Sequence, residues 1–464
     1  MHNVQRIHFV GIGGVGMCGI AEVLHNLKFE VSGSDAAESA TTRRLSSLGI
    51  KVYIGHQQSY VCNQDVVVIS SAIAAQNPEV LAARAAKIPV IPRAEMLGEL
   101  MRLQEGIAVA GTHGKTTTTS LVASVLGQAG LDPTFVIGGR LNSVGSHARL
   151  GRGRYLVAEA DESDASFLHL QPFIAIVTNI DADHMGTYGG DFQRLKRAFL
   201  AFLHNLPFYG LAIVCIDDPV IRELIPEIHK PVLTYGVSPD AELRGYNITQ
   251  DGQNMHFQVA CQGEESWLST SLRQPGHHNV LNALAAIAVG RELGAKREDI
   301  ALGLSSFSGI GRRFQINGVE PWGNGDILFV DDYAHHPREI AATLRAAREG
   351  WPTRRLVVVF QPHRYTRTHD LLEDFTAVLG DVDNLFITEV YAAGETPISG
   401  ADGRSLCRSI RARGRHPVFV EGLVDLPKIL AQVLAANDMV LTLGAGNIGH
   451  IALGLPSALR EARQ

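Results

Sequence analysis

The chain has 464 residues, 45% of them hydrophobic and 19% charged, and a net charge of −6 at neutral pH. That length exceeds one ordinary core and suits about three domains. The acidic balance excludes wholesale electrostatic attraction to nucleic acid or an anionic membrane, and no apolar run approaches the ~20 residues that a bilayer span needs. The cysteines, Cys18, Cys62, Cys215, Cys261 and Cys407, show no C-x-x-C spacing. This speaks for a reducing compartment and against a disulfide framework or structural zinc. With no signal-peptide pattern at the start, the expected address is the cytoplasm.

A first strand is predicted at 7–10. It runs into Gly11, Ile12, Gly13, Gly14, Val15, Gly16 and Met17, a G-x-G-x-x-G turn ahead of a helix, and Asp35 ends the next strand, EVSGSD. Such glycines let the backbone approach a diphosphate while the helix N-terminus faces the anion. The standard inference is NAD, with Asp35 on the ribose. A diphosphate-linked sugar meets the same backbone groups, and nothing downstream reads as hydride-transfer chemistry. A purely structural turn is the third reading. Strands at 66–70 and 88–92 complete this block, which closes near 101–105.

The second block opens with GIAVAGTHGKTTTTSL at 106–121. An apolar strand (107–110) breaks at Gly111, turns through Thr112, His113 and Gly114, and meets Lys115, Thr116 and Thr117. Helical character is predicted over 120–128. Strand, glycine turn, Lys-Thr and helix make a phosphate cradle: backbone N–H groups face an anion, Lys115 adds positive charge, and the Thr116 hydroxyl suits Mg²⁺. The spacing is shorter than G-x-x-x-x-G-K-[ST], since the first glycine is Gly111. The plain alternative is a Gly/Thr turn between a buried strand and a helix.

Two acidic clusters follow strands predicted at 155–161 and 173–181. Glu159, Asp161, Glu162 and Asp164 lie in EADESDASF, and Asp181, Asp183 and His184 lie in NIDADHMGTY. If these strands flank the cradle strand, Thr116, Glu159 and His184 converge on Mg²⁺ held by triphosphate oxygens. Alternatively, Asp161, Ser163 and Asp164 cap the following helix and His184 is a solvated loop histidine. Glu159 is assigned to chemistry; Asp161, Glu162 and Asp164 stay open. A strand at 211–218, a polar β-alternating insertion at 243–268 and the helix of PGHHNVLNALAAIAVG complete the block. A third block starts near Phe314 with ILFVDDYAHHP, LVVVFQPHR, NLFITEVY and MVLTLGAGNIG, each an apolar strand ending in a polar or glycine-rich loop. The alternation of strands and helices predicts an α/β protein with domains at 1–104, 105–313 and 314–464. Loops at the carboxyl ends of the strands are the site candidates.

Taken together, HFVGIGGVGM, SGSD, YIGH, SSAI, GTHGKTTTT, EADESDASFLHLQP, TNIDADHM, FLHNLPFYG, GHHNVLNA, GRRFQ, VDDYAHHP, FQPHRYTRT and YAAGE resemble the Mur ligases, and in particular the branch that joins L-alanine to UDP-N-acetylmuramate. The resemblance spans essentially the whole chain. It implies an N-terminal Rossmann-like domain for the UDP-sugar, a central P-loop-type ATPase domain with a parallel sheet, and a C-terminal Rossmann-like α/β domain closing over ATP and the amino acid. By position, Gly11–Met17, Asp35, His56, Ser70 and Ser71 would contact the UDP-sugar. Gly111 to Thr117 would hold the ATP phosphates, and Thr116, Glu159 and His184 the Mg²⁺. Asn279 and Asn282, on one helix face, would contact the adenine side. Arg313 would reach the terminal phosphate, and Asp332 and His335 would join the nucleotide site. His363, Arg364 and Arg367 would surround the amino-acid and acyl region. Gly186 and Ala334 depart from the usual family residues. A carbamylated lysine of several relatives falls on Phe199 here, with Lys196 and Arg197 displaced, so none is expected.

The implied reaction is ATP-driven amide formation through an acyl phosphate. Lys115, Mg²⁺ and Arg313 would offset the repulsion between carboxylate and triphosphate. Arg364 and Arg367 suit the amino-acid carboxylate, unless they form a solvated basic loop. His363, His335 and His184 are each candidates for the base that deprotonates the amine. Partners are then UDP-N-acetylmuramate, L-alanine and ATP, with no nucleic acid or membrane, in a monomer or weak homodimer. The rivals are a recycling ligase that attaches a preformed peptide to the same UDP-sugar, an NAD-dependent oxidoreductase and a non-catalytic nucleotide switch.

Overall fold

The computed structural model describes residues 4–70, 72–141, 146–261 and 263–462. Three sheets carry the chain. The first contains β1 (Arg6–Val10), β2 (Glu30–Asp35), β3 (Lys51–Ile54), β4 (Val66–Ile69) and β5 (Val90–Pro92) in the order β3-β2-β1-β4-β5. All its pairings are parallel. Its inner strands β1 and β4 are the apolar runs expected of a parallel sheet covered on both faces: in β1, Ile7, Phe9 and Val10 are wholly buried, and β4 reads VVVI.

The second sheet has β6 (Glu105–Ala110), β7 (Thr134–Leu141), β8 (Ser146–Arg149), β9 (Tyr155–Glu159), β10 (Ile174–Val177), β11 (Leu211–Cys215), β12 (Val232–Gly236), β13 (Leu243–Asp251), β14 (Asn254–Cys261) and β15 (Glu264–Leu272). Its order is β15-β14-β13-β12-β11-β10-β6-β9-β7-β8. The run from β12 to β7 is parallel. β8 is antiparallel to β7. The polar insertion expected at 243–268 is thus β13 to β15, an extension of the same sheet.

The third sheet holds β16 (Gln315–Trp322), β17 (Gly325–Asp332), β18 (Arg355–Phe360), β19 (Asn384–Thr388), β20 (Val418–Val420) and β21 (Asp438–Leu443) in the order β16-β17-β21-β18-β19-β20. Only its β16–β17 hairpin is antiparallel, with a register shift between Ile316 and Gly318. Val330, Val358, Phe360, Ile387 and Leu441 build the core on one face, and Phe329, Val357, Val359 and Val440 on the other.

The chain forms two compact units, one of residues 1–248, 256–272 and 279–308, the other of 249–255, 273–278 and 309–464. One expectation needs correction. The helix after the cradle begins at Lys115 and runs to Gln128, not from 120. Its threonines have poor helix propensity, but Thr119 Oγ1 and Ser120 Oγ donate to the carbonyls of Lys115 and Thr116 four residues back (2.9 and 2.8 Å). Phe199 lies in the core, edge-on to Phe167, and Lys196 Nζ donates to Glu223 Oε2 at 2.6 Å. Among the described residues no helix is long and apolar enough to cross a membrane, and no disulfide is formed.

Candidate active site

The cradle sits at the carboxyl end of β6, between β9 and β10. Gly111 has φ +129, and a side chain there would collide with the Thr178 hydroxyl. Gly114 caps the helix at φ +84, where a Cβ would stand 2.6 Å from Asn282 Oδ1. Both positions therefore demand glycine. The loop between them is braced by the segment after β10. Thr178 Oγ1 and Asn179 Nδ2 donate to the His113 carbonyl (2.6 and 2.9 Å), His113 N donates to Asn179 Oδ1 (2.8 Å), and Thr112 N donates to the Asn179 carbonyl (3.0 Å). Asp181 N donates to Thr112 Oγ1 at 2.9 Å, and Asp181 Oδ2 lies 3.2 Å from His113 Nε2. From the other side, Thr118 Oγ1 donates to Asn282 Oδ1 (3.1 Å), and Asn282 Nδ2 donates to Asn279 Oδ1 (3.1 Å). The two asparagines thus share a helix face and pack against the cradle helix. Thr178 and Asn179 escaped the sequence reading, which weighed only the acids and histidine that follow them.

Lys115 Nζ donates to the carbonyls of Gly111 (2.6 Å) and Thr112 (3.2 Å) and to Glu162 Oε2 (2.6 Å). Burial disfavours the ammonium, but the carboxylates of Glu162, Asp161 and Glu159 outweigh it and raise its pKa. Lys115 is therefore a fixed cation at the helix start. Glu162 is itself pushed up to about 7 by burial and by Asp161, against the pull of Lys115. Of the acids left open, Glu162 is thus the lysine's counter-ion. Asp161 and Asp164 accept the N–H groups of Ser163 and Ser166, both at 3.0 Å, as turn caps do. Only the short 3₁₀ turn Ser166–His169 follows them.

Glu159 ends β9, in register with Val109 of β6, and its Oε1 accepts from Gly138 N at 2.6 Å. His184 follows β10 at φ +54, with its N–H on Asp183 Oδ1 (2.8 Å). Thr116 lies in the first turn of the helix after β6, Glu159 ends β9, and His184 lies in the loop after β10; these strands are neighbours in the sheet. The hydroxyl and the carboxylate are oxygen donors of the kind Mg²⁺ takes beside phosphate and water, and the imidazole is the less usual ligand.

In the N-terminal sheet, Gly11 N and Ile12 N donate to the Ser34 carbonyl (2.8 and 3.0 Å), and Gly13 N donates to Asp35 Oδ2 (2.8 Å). Asp35 therefore ties down the loop itself. Gly14 caps the helix Val15–Asn26, which contains Gly16 and the buried Met17. His56 Nδ1 lies 2.8 Å from Glu79 Oε1. Ser70 lines a cavity of about 170 Å³ with Ile73, Arg93, Asp164 and Ser166. Arg93 pairs with Asp161 at 3.4 Å. Ser71 lies outside the described residues.

In the C-terminal unit, Asp332 accepts N–H groups from Phe314 and Ala334, both at 2.7 Å. Burial pushes its carboxyl up to about 6, despite nearby Arg313. The Arg313 guanidinium lies 5.1 Å from the Tyr333 ring centre, and its carbonyl accepts from Gln274 Nε2 (2.6 Å). Arg312 does the structural work, pairing with Asp331 (2.9 Å) and donating to the carbonyls of Gly444 and Gly446. His335 packs edge-on to His363 at 5.7 Å and lies 3.2 Å from Glu339. Burial lowers the pKa of both imidazoles, His363 to about 4 with help from Arg367 and Arg364. His363 is thus neutral at neutral pH. It stacks on Tyr391 and lies 3.4 Å from the guanidinium of the buried Arg367. Arg364 is exposed at φ +71, held by its N–H on the Tyr391 carbonyl (2.9 Å).

Three family models match in succession: Mur ligase family, catalytic domain, over residues 6–105; Mur ligase middle domain, over 109–290; and Mur ligase, glutamate ligase domain, over 312–446. Among solved structures, the chain is similar to the UDP-N-acetylmuramate-alanine ligase MurC of Thermotoga maritima. The two share 31% identity over 98% of this chain and 99% of that one, with a TM-score of 0.83. It is also similar to a murein peptide ligase of Psychrobacter arcticus (25% identity, 98% of both chains, TM-score 0.69). The Thermotoga maritima MurF ligase, solved with ADP, shares the fold at 15% identity over the full length of both chains, TM-score 0.66. With its three α/β domains, each built on a largely parallel sheet, the chain belongs to the Mur ligase family.

Proposed function

We propose that this Mur ligase joins L-alanine to the carboxylate of UDP-N-acetylmuramate, with ATP, in bacterial peptidoglycan precursor synthesis. The observation that carries the reading is the full-length similarity, at 31% identity, to a UDP-N-acetylmuramate-alanine ligase. The fixed cation Lys115 at a helix start supports it, because an oxidoreductase leaves that cradle unused. A carboxylate oxygen of the sugar attacks the γ-phosphorus and ADP leaves, forming an acyl phosphate. The amine then attacks the acyl carbon, a proton goes to a base, and phosphate departs.

In this reading residues 1–104 hold the UDP-sugar on Gly11–Met17, Asp35, His56, Ser70 and Ser71. Residues 105–313 hold ATP on Gly111–Thr117 with Asn279 and Asn282. Asp332 and His335 of residues 314–464 belong to the nucleotide site in this reading, and Arg313 meets the terminal phosphate. Lys115 and Arg313 stabilise the charge on the transferring phosphoryl group. Thr116, Glu159 and His184 would hold Mg²⁺, which neutralises phosphate charge when bound. Arg364 and Arg367 take the amino-acid carboxylate. The amine proton goes to one of His363, His335 and His184. The reading places the enzyme in the cytoplasm.

The test is phosphate release with ATP and UDP-N-acetylmuramate across L-alanine, glycine, L-serine and a stem tripeptide. L-Alanine should give the highest kcat/KM. Preference for the tripeptide would move the chain to peptide recycling, the activity suggested by the murein peptide ligase similarity. Phosphate release that needs neither co-substrate would leave a nucleotide switch.

A further inference from the structure

One carboxylate packed against the N-terminal sheet is buried with no place in the reaction above. Glu79 is fully buried in the first turn of the helix Pro78–Ala85, its N–H on the Asn77 cap (2.9 Å). Its Oε2 accepts from His8 Nε2 (2.7 Å) and Ser34 Oγ (2.9 Å), and its Oε1 accepts from His56 Nδ1 (2.8 Å). His8 reaches on to Ser32 Oγ (2.9 Å). Burial alone pushes the carboxyl of Glu79 up, but the bonds from His8, Ser34 and His56 outweigh it and hold it ionised. A buried charge network of this kind is seldom more stable than apolar packing of the same volume, so stability alone does not account for it.

Two of its bonds lead to the glycine loop and to solvent. The Ser34 carbonyl takes the N–H groups of Gly11 and Ile12. The His56 side chain is 21% exposed, whereas those of His8 and Glu79 are wholly covered. A carboxylate accepts only, so its bond to Nδ1 fixes a proton there, and in the neutral ring Nε2 is then the lone pair. We infer that Glu79 is a positioning residue for substrate binding: it locks His56 in the Nδ1–H tautomer, so that Nε2 accepts a hydrogen bond from an O–H or N–H donor of the UDP-sugar beside the glycine loop. The inference rests on the reading that this sheet holds the UDP-sugar.

A double-mutant cycle on the full-length enzyme tests it. Glu79→Gln should raise the KM for UDP-N-acetylmuramate roughly tenfold while the KM for ATP moves less than about twofold. In a His56→Ala background the same change should add nothing to that KM. Equal effects in both backgrounds, or a loss confined to kcat, would overturn the inference. ¹⁵N NMR of the wild-type enzyme needs no variant to fold: His56 should report a protonated Nδ1, and an Nε2–H tautomer would also overturn it. Wild-type enzyme that turns over UDP-N-acetylmuramate while failing these tests sinks the inference alone. Wild-type enzyme that does not turn it over sinks the functional reading and this inference together.

Discussion

Lys115 shows how one side chain links fold to reaction. Its ammonium rests on two loop carbonyls and Glu162, so the charge is fixed in place at the head of the helix. Lys115→Ala should lower the ligation rate by about 10³-fold or more, with UDP-N-acetylmuramate affinity unchanged by calorimetry. Normal turnover in that variant would remove Lys115 from the mechanism. Arg364 is exposed on a loop fixed by Tyr391. Arg364→Ala should raise the KM for L-alanine about tenfold, as expected for a lost charge-assisted bond, and more than the KM for ATP. A selective rise for ATP would reassign the residue to the nucleotide. Asp332 predicts a pH effect on stability. Its folded pKa, about 6, lies above the ordinary 3.8. Between these values the native protein keeps a proton that the unfolded chain has released, so stability falls as pH rises through the window. Asp332→Asn should cancel that slope, a difference on the order of 2 kcal/mol, read from thermal midpoints of both proteins between pH 4 and 7.

The element that carries Lys115 is shaped by neighbours far away in sequence. The cradle loop is held by Thr178 and Asn179 at the end of β10, an arrangement that follows from the sheet order β10-β6-β9. Asn179→Ala removes both side-chain bonds to His113 and should raise the KM for ATP about tenfold, with the sheet intact by circular dichroism. An unchanged KM would show that the loop holds its shape without that clamp. The strands themselves were legible because each buried parallel strand is an apolar run bounded by polar or glycine residues, as in 107–110 and 174–177. The helix start at Lys115 is hidden by the run of threonines, of which Thr119 bonds back to the Lys115 carbonyl and Thr118 reaches Asn282 once the helix has formed. The role of Glu162 was hidden too: two carboxylates one residue apart in Asp161-Glu162 look alike until folding aims one at Lys115 and the other at Arg93. Glu79 follows Asn77-Pro78, which reads as an ordinary solvated helix start until the helix packs on the sheet.

At the scale of the whole molecule, the three-block reading follows the three sheets, because each block supplies its own apolar strands. The second compact unit is less simple, being assembled from 249–255, 273–278 and 309–464. Gln250 Nε2 donates to the Ala346 carbonyl (2.8 Å), Gln274 Nε2 to the Arg313 carbonyl (2.6 Å), and Gly276 N approaches Met255 Sδ at 3.2 Å. Spacing along the chain cannot reveal such company, since the partners lie up to 96 positions apart. A fragment of residues 309–464 should therefore melt at a lower temperature and less cooperatively than the same region in the intact chain, as read by calorimetry. Equal melting would show that the two short segments are dispensable. The backbone passes between the units at 248–249, 255–256, 272–273, 278–279 and 308–309. Protein engineers seeking to swap or circularly permute one half are thus denied a clean seam: no pair of scissors applied once can part this polypeptide into its two bodies, and any graft must carry the borrowed threads along.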